Sequence, residues 1–342
     1  MLTNLTHPWL LARLLSGASA AVLAIVGLAV AYKVLRFYRV GATSEGQLAL
    51  ERRAELVAAI VQLALVLGVV NLALSVLAAD RRAGSVRGAM CAWGVFDASA
   101  WGVPSLAASA LVALGGALWL TLHRLDLRLE TPRLTRAKFI ALLVVAPLVV
   151  IDLLASTAFA LDLDRSVVAS CCSLGLDSVV EATGASGGAR GLAAALALGG
   201  GSLAAALGLA LRVRPRAWMS WGAAFLSAIT LAVALPAILG YVAPHAYETP
   251  SHLCPFCLLH ADVHGIGWPL FALLGLGSTA GLSLAALELA RKKAGAPEQV
   301  AALARSLGLS SAIGWLGAIV LGALPVVRYA WITGGASVFG GY

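Results

Sequence analysis

The segment FIALLVVAPLVVIDLLASTAFA, residues 139–160, decides the fold. It is 22 residues long and holds one charged side chain, Asp152. A helix needs roughly 20 mostly apolar residues to cross the hydrocarbon of a bilayer, so this run reads as a transmembrane helix. Seven further stretches of the same kind flank it, at about 15–36, 56–79, 103–122, 191–211, 217–240, 266–288 and 309–330. The whole chain agrees: 61% of its 342 residues are hydrophobic and 12% charged, where a soluble domain has about half and about a quarter. Its mean hydropathy is +0.92. The expected fold is therefore an all-α integral membrane protein of eight transmembrane helices, with the lipid bilayer as its first partner. The first stretch has small residues, Ser19 and Ala20, where a signal peptide would be cut. Its apolar run continues to Tyr32, so an uncleaved first helix is expected.

The net charge of +8 does not point to nucleic acid, which needs Lys and Arg gathered on one soluble face. Here they fall between the apolar stretches. Alternate connections hold Lys33, Arg36, Arg39, Arg52 and Arg53, then Arg124 to Lys138, then Arg212 to Arg216, then Arg291 to Lys293 with Arg305. Together these are 17 of the 24 cationic residues. Lys and Arg are retained on the cytoplasmic side. The bias predicts both termini outside and four basic loops inside, as in a bacterial inner membrane, with Arg81, Arg82 and Arg87 running against it. All five cysteines, Cys91, Cys171, Cys172, Cys254 and Cys257, then lie on extracytoplasmic loops, where disulfides persist.

Two of those loops resemble each other. One runs from Cys91 to Gly102 and continues Val-Pro-Ser-Leu; the other runs from Cys254 to Gly265 and continues Ile-Gly-Trp-Pro-Leu. Each Cys precedes its Gly by eleven residues. Ala146-Pro147-Leu-Val-Val and Leu324-Pro325-Val-Val add a looser match. The expectation is a 4+4 internal repeat in a single polytopic bundle, with residues 1–165 as the first four-helix unit and 166–342 as the second. Units of four helices share one orientation and are related by an axis along the membrane normal.

The segment His252-Leu-Cys254-Pro255-Phe256-Cys257-Leu-Leu-His260-Ala-Asp262-Val-His264 carries most of the chemistry. A Cys-x-x-Cys pair at a helix start has a depressed first thiol pKa, because helix N-terminal N–H groups stabilise the thiolate that attacks disulfides. Pro255 suits a first helical turn, and His252 can move a proton near neutral pH. These residues resemble, over about a dozen positions, the vitamin K epoxide reductase-like membrane thiol oxidoreductases. That resemblance implies a Cys-Pro-x-Cys pair working against a quinone at the outer membrane face. It departs at the second cysteine pair, which that family spaces in a loop and which is adjacent here. On this reading Cys254 attacks, Cys257 resolves, and Cys171 and Cys172 exchange with a thioredoxin-like extracytoplasmic protein. A static disulfide staple is the plainer alternative for the same residues.

The same loop supports a metal reading, since thiolates and imidazoles are preferred ligands of Cu(I) and Zn(II). Cys91, His252, His260 and His264 are the candidate ligands, the last two sharing a face if the stretch is helical. Within the hydrocarbon Asp152 needs a partner. The repeat suggests Arg328 beyond Pro325, with Gln62 and Asn71 of the second helix in hydrogen-bonding reach. The phosphate loop, the His-Glu-x-x-His helix and the dinucleotide fingerprint are missing. Three functions stay open: a membrane thiol–disulfide oxidoreductase or electron relay, a metal-handling or transport protein for Cu, Zn or Fe, and a non-catalytic subunit of a larger membrane complex.

Overall fold

A computed structural model describes residues 7–41, 44–163 and 187–340. Their regular secondary structure is all helical, without a strand, and eight helices are long and apolar enough to cross a membrane. In chain order the helices are α1 (Pro8–Phe37), α2 (Glu45–Asp80), α3 (Ala92–Asp97), α4 (Gly102–Asp126), α5 (Thr135–Asp162), α6 (Gly187–Val213), α7 (Ala217–Ala237), α8 (Ala243–Ala246), α9 (Gly267–Ala294) and α10 (Pro297–Ile332). A π-helical turn, Ile238–Val242, joins α7 to α8, so the three make one span. The protein is thus a membrane-spanning helical protein.

Every expected stretch is a helix, and most helices run past the apolar run that announced them. Inside hydrocarbon only a helix satisfies its own backbone; at the ends, helix-forming polar residues carry the ladder onward. Ser44 caps α2 by accepting from the backbone N–H of Gln47, so Arg52 and Arg53 lie on α2 and not in a loop. α1 begins at Pro8, a residue suited to a first turn. That early start places Arg13 inside the helix.

The chain forms two compact units, Met1–Ala169 with Leu289–Val300, and Ser170–Glu288 with Ala301–Tyr342. In the first, the small Ala20, Ala24 and Ala31 of α1 share one core with the bulkier Val61 and Leu65 of α2, Val112 and Trp119 of α4, and Phe139, Leu142 and Val149 of α5. Small against large lets the four helices interlock. The α4–α5 corner is held by Asp126, which accepts from the Leu134 N–H (2.9 Å), the Thr135 hydroxyl (3.0 Å) and the Lys138 ammonium (2.7 Å).

Near the opposite end of this unit a guanidinium sits at the centre of the bundle. Arg13, 1% exposed, donates through Nε to Ser75 Oγ of α2 at 2.6 Å. Its Nη2 reaches Asp152 Oδ1 at 2.6 Å, Ser156 Oγ at 2.8 Å and Ser109 Oγ at 3.2 Å, and Ser109 also donates to Asp152. All four long helices contribute. Gly17, one turn on, leaves the room: a β-carbon there would lie 2.7 Å from Arg13 Nη1.

This corrects the Asp152–Arg328 pairing. Arg328 lies near the end of α10 and donates to Glu248 at 3.1 Å, with both side chains half exposed or more. Gln62 also differs from expectation, being exposed on α2, whereas Asn71 is buried one turn before Ser75 on the same helix.

In the second unit glycines bring backbones together. A β-carbon on Gly208 of α6 would strike the Gly308 carbonyl of α10, and one on Gly314 of α10 would strike the backbone of Gly277 of α9. Trp315 fills the space beside this contact and donates its indole N–H to Ser227 of α7 at 3.0 Å.

Breaking one side of a buried ion pair costs about 3–5 kcal/mol, whereas replacing both partners with apolar residues is often neutral. Asp152→Ala is therefore expected to lower the melting temperature in detergent sharply, and Arg13→Met combined with Asp152→Leu to restore most of it. A melting temperature indifferent to Asp152→Ala would remove the pair from its central place.

Candidate functional site: a buried cysteine pair

The chain leaves α7 through an unusual turn. Pro244 has no N–H to give to the carbonyl one turn back, and the Ala243 N–H bonds instead to the Ile238 carbonyl five residues away. After α8 the loop 247–266 folds back onto the helix ends. Leu258 is its anchor, fully buried against Ile238, Ala243, Leu270 and Ala318. Gly267 allows this, because a β-carbon there would lie 2.8 Å from the Leu258 carbonyl carbon.

Cys254 and Cys257 precede this anchor, at 1% and 5% exposure. Both are carried as thiols, and their sulfurs lie within 4.8 Å of one another. Two tethers hold the loop. The Tyr247 hydroxyl donates to the Cys257 carbonyl at 2.8 Å, and the Tyr247 ring stacks on His252, centroids 3.9 Å apart. The His252 N–H in turn donates to the Thr249 carbonyl at 3.1 Å. Glu248 and His264 take left-handed backbone angles, φ 55° and 58°, and mark where the loop reverses at either side.

The local helix differs from the expected one. Pro255 precedes a single 3-10 turn, Phe256–Leu259, so the pair does not itself begin a long helix. Their environment is set by burial instead. His260 follows in extended conformation, and His264 lies beyond a second short turn, Ala261–Val263. The two imidazoles therefore share no helical face. His260 is half-buried and His264 exposed.

His245 flanks the pair in sequence but belongs elsewhere. Its Nδ1 faces the Tyr241 carbonyl at 2.7 Å and its Nε2 the Ser337 hydroxyl at 3.4 Å. Tyr241, Tyr329 and Phe339 surround the ring. It is a packed core histidine. Cys91, in the first unit, is fully buried at the N-cap of α3, beside a loop that Ser99 and Ala100 tie to Asp162 at the end of α5. Cys171 and Cys172 lie outside the described residues.

Two features escaped the reading of the sequence. Arg13 lies just before the apolar run that starts at about residue 15, and the signal that α1 includes it is Pro8, which can open a helix. The burial of the Cys254 loop had a fainter signal, the apolar Leu253, Phe256, Leu258 and Leu259 around the two cysteines. Comparison with protein-family models finds no match, and comparisons with curated proteins and with solved structures find none either.

A neutral hydrogen bond contributes about 1 kcal/mol, roughly a fivefold change in an equilibrium. Tyr247→Phe removes the bond to Cys257 while keeping the aromatic stack. Alkylation of Cys257 by a maleimide, followed by peptide mapping, is expected to quicken by about that factor. An unchanged rate would show that the tether does not shield the thiol.

Proposed function

We propose that the protein is a membrane thiol–disulfide oxidoreductase whose working pair is Cys254 and Cys257. The observation that carries this is two buried thiols with sulfurs within 4.8 Å, on a loop that keeps them out of bulk solvent. A dithiol and a disulfide are both uncharged, so a low-dielectric setting penalises neither end state, whereas it would penalise a resting thiolate. Cys-Pro-Phe-Cys spacing supports the assignment of roles from the sequence.

In that reaction Cys254 loses its proton, and its sulfur attacks a disulfide in a partner protein. One Cys254–partner S–S bond forms, and the partner's other sulfur leaves as thiolate. Cys257, deprotonated in turn, attacks Cys254 and closes the Cys254–Cys257 disulfide. The partner departs as a dithiol after taking two electrons and two protons. The lysine and arginine bias of the sequence puts the loop on the extracytoplasmic side of a bacterial inner membrane and makes a thioredoxin-like protein the natural partner. Cys171 and Cys172 are candidates for a relay to it, and a quinone for the reverse, oxidising step.

A second reading has one observation in its favour. Two thiolates on a tetrahedral Zn(II) at about 2.3 Å stand about 3.8 Å apart, and the sulfurs of this pair lie within 4.8 Å of each other. The pair can thus hold two positions of a soft-metal site, and Cys91, His252, His260 and His264 are the sequence's candidates for the others.

Thiol trapping separates the two. With a thioredoxin-like protein bearing an oxidised active site, Cys257→Ser is expected to accumulate a mixed disulfide through Cys254, and Cys254→Ser none. Absence of any mixed disulfide from either variant would sink the redox reading. Cysteines that alkylate only after a chelator is added, with metal released in about equal amount to protein, would put the metal reading in its place, and single substitutions at the four candidate ligands would then complete the set.

A further inference from the structure

We propose that the helices of the second unit bind the hydrocarbon chain of a membrane lipid. The inference rests on a cavity and is independent of the thiol chemistry. Among α6, α7, α9 and α10 lies a cavity of about 160 Å³, comparable with apolar voids of ~150 Å³ that stay dry and take up benzene.

Its chemistry is uniform. Ala234 of α7 and Ala318 of α10 line its interior, where their small size leaves the space open. Three lining residues carry polar groups, Trp315, Thr230 and Tyr241, and the Tyr241 ring packs against His245 and Phe339. Trp315 gives its indole N–H to Ser227 at 3.0 Å, and the Thr230 hydroxyl faces Gly200, where a β-carbon would lie 2.5 Å away. A guest therefore meets mostly carbon and aromatic surface. A headgroup, a sugar or a peptide would lose its hydration here without compensation, while a chain of methylenes loses nothing.

The cavity also has a direction. Trp315 and Thr230, at its inner end, are 1% and 2% exposed, whereas Leu198 of α6 and Val327 of α10, which also line it, are 47% and 62% exposed. It thus runs from the lateral surface of the helices to their interior. In a membrane that surface faces hydrocarbon, where lipid chains are the abundant solute of matching chemistry. The π turn Ile238–Val242 contributes to the wall; such turns distort a helix surface and recur at functional sites.

Trp315 reports on occupancy. The protein is reconstituted in vesicles of phosphatidylcholine with brominated acyl chains, and quenching is read as the difference between the wild type and Trp315→Phe. The expected result is that Trp315 loses most of its emission although it is buried, and that Ala234→Phe and Ala318→Leu, which fill the cavity, each spare it. Equal quenching of wild type and Trp315→Phe would overturn the proposal. Should Trp315→Phe not fold, a diazirine-bearing acyl chain photolysed with the wild type gives the same decision: adducts on Trp315, Thr230 or Ala234 support the proposal, and adducts confined to exposed positions overturn it. A brominated free fatty acid, added at low mole fraction to ordinary vesicles, identifies the source. Saturable quenching of Trp315 makes the guest a free acid, and quenching by brominated phospholipid alone makes it a phospholipid tail.

Discussion

Hydrocarbon cannot solvate a charge or an unpaired amide, and the Arg13–Asp152 pair shows how the first unit meets that constraint. The guanidinium reaches the bundle centre from α1 and is met by an acid on α5 and serines on α2, α4 and α5. Because each helix supplies a partner, no helix can slide or rotate without stranding a buried donor. Dispersion between the small residues of α1 and the bulk of its neighbours fills the space; the polar network selects one register out of many that would fill it almost as well. In some proteins specificity of this kind is the reason a buried ion pair of small net stabilisation is kept.

The second unit meets the same constraint with small hydroxyls and an indole at its centre. Where α6, α7, α9 and α10 meet, alanines and glycines bring the backbones close at Gly208–Gly308 and Gly277–Gly314, and the Trp315–Ser227 bond ties α10 to α7. Further polar chemistry lies at the ends of the helices, in the loop of Cys254 and Cys257 and the aromatic surround of His245. Two sets of four helices thus arrive at different interiors, one charged and tightly bonded, the other mostly apolar and partly hollow.

The helices were legible from the sequence because hydropathy is a property of a window of residues, and a run such as 139–160 signals itself whatever packs against it. Partnerships were not. Asp152 announced a need without naming who meets it; the answer depended on whether α1 starts before or after Arg13, a matter of one helical turn that composition does not resolve. The Cys-Pro-Phe-Cys spacing suggested a pair at a helix start, whereas Gly267 and the buried Leu258 fold the segment into a short 3-10 turn. His260 and His264 share a helical spacing and no helix, since spacing assigns a face only when the backbone is already known. The cavity was invisible for a similar reason: it is made by residues that are small, and smallness reads equally well as close packing.

The π turn between α7 and α8 has a consequence for how the loop is aimed. An α-helix turns by about 100° per residue, and a π turn accommodates one residue more than an α turn over the same rise. Everything after Val242, including His245 and the path into the cysteine loop, is therefore phased by one residue relative to the stem of α7. The stem can keep its small face toward α6 and α9 while the segment beyond it presents a different face, so the membrane-embedded helix and the thiol loop are free to satisfy separate angular requirements within one continuous span.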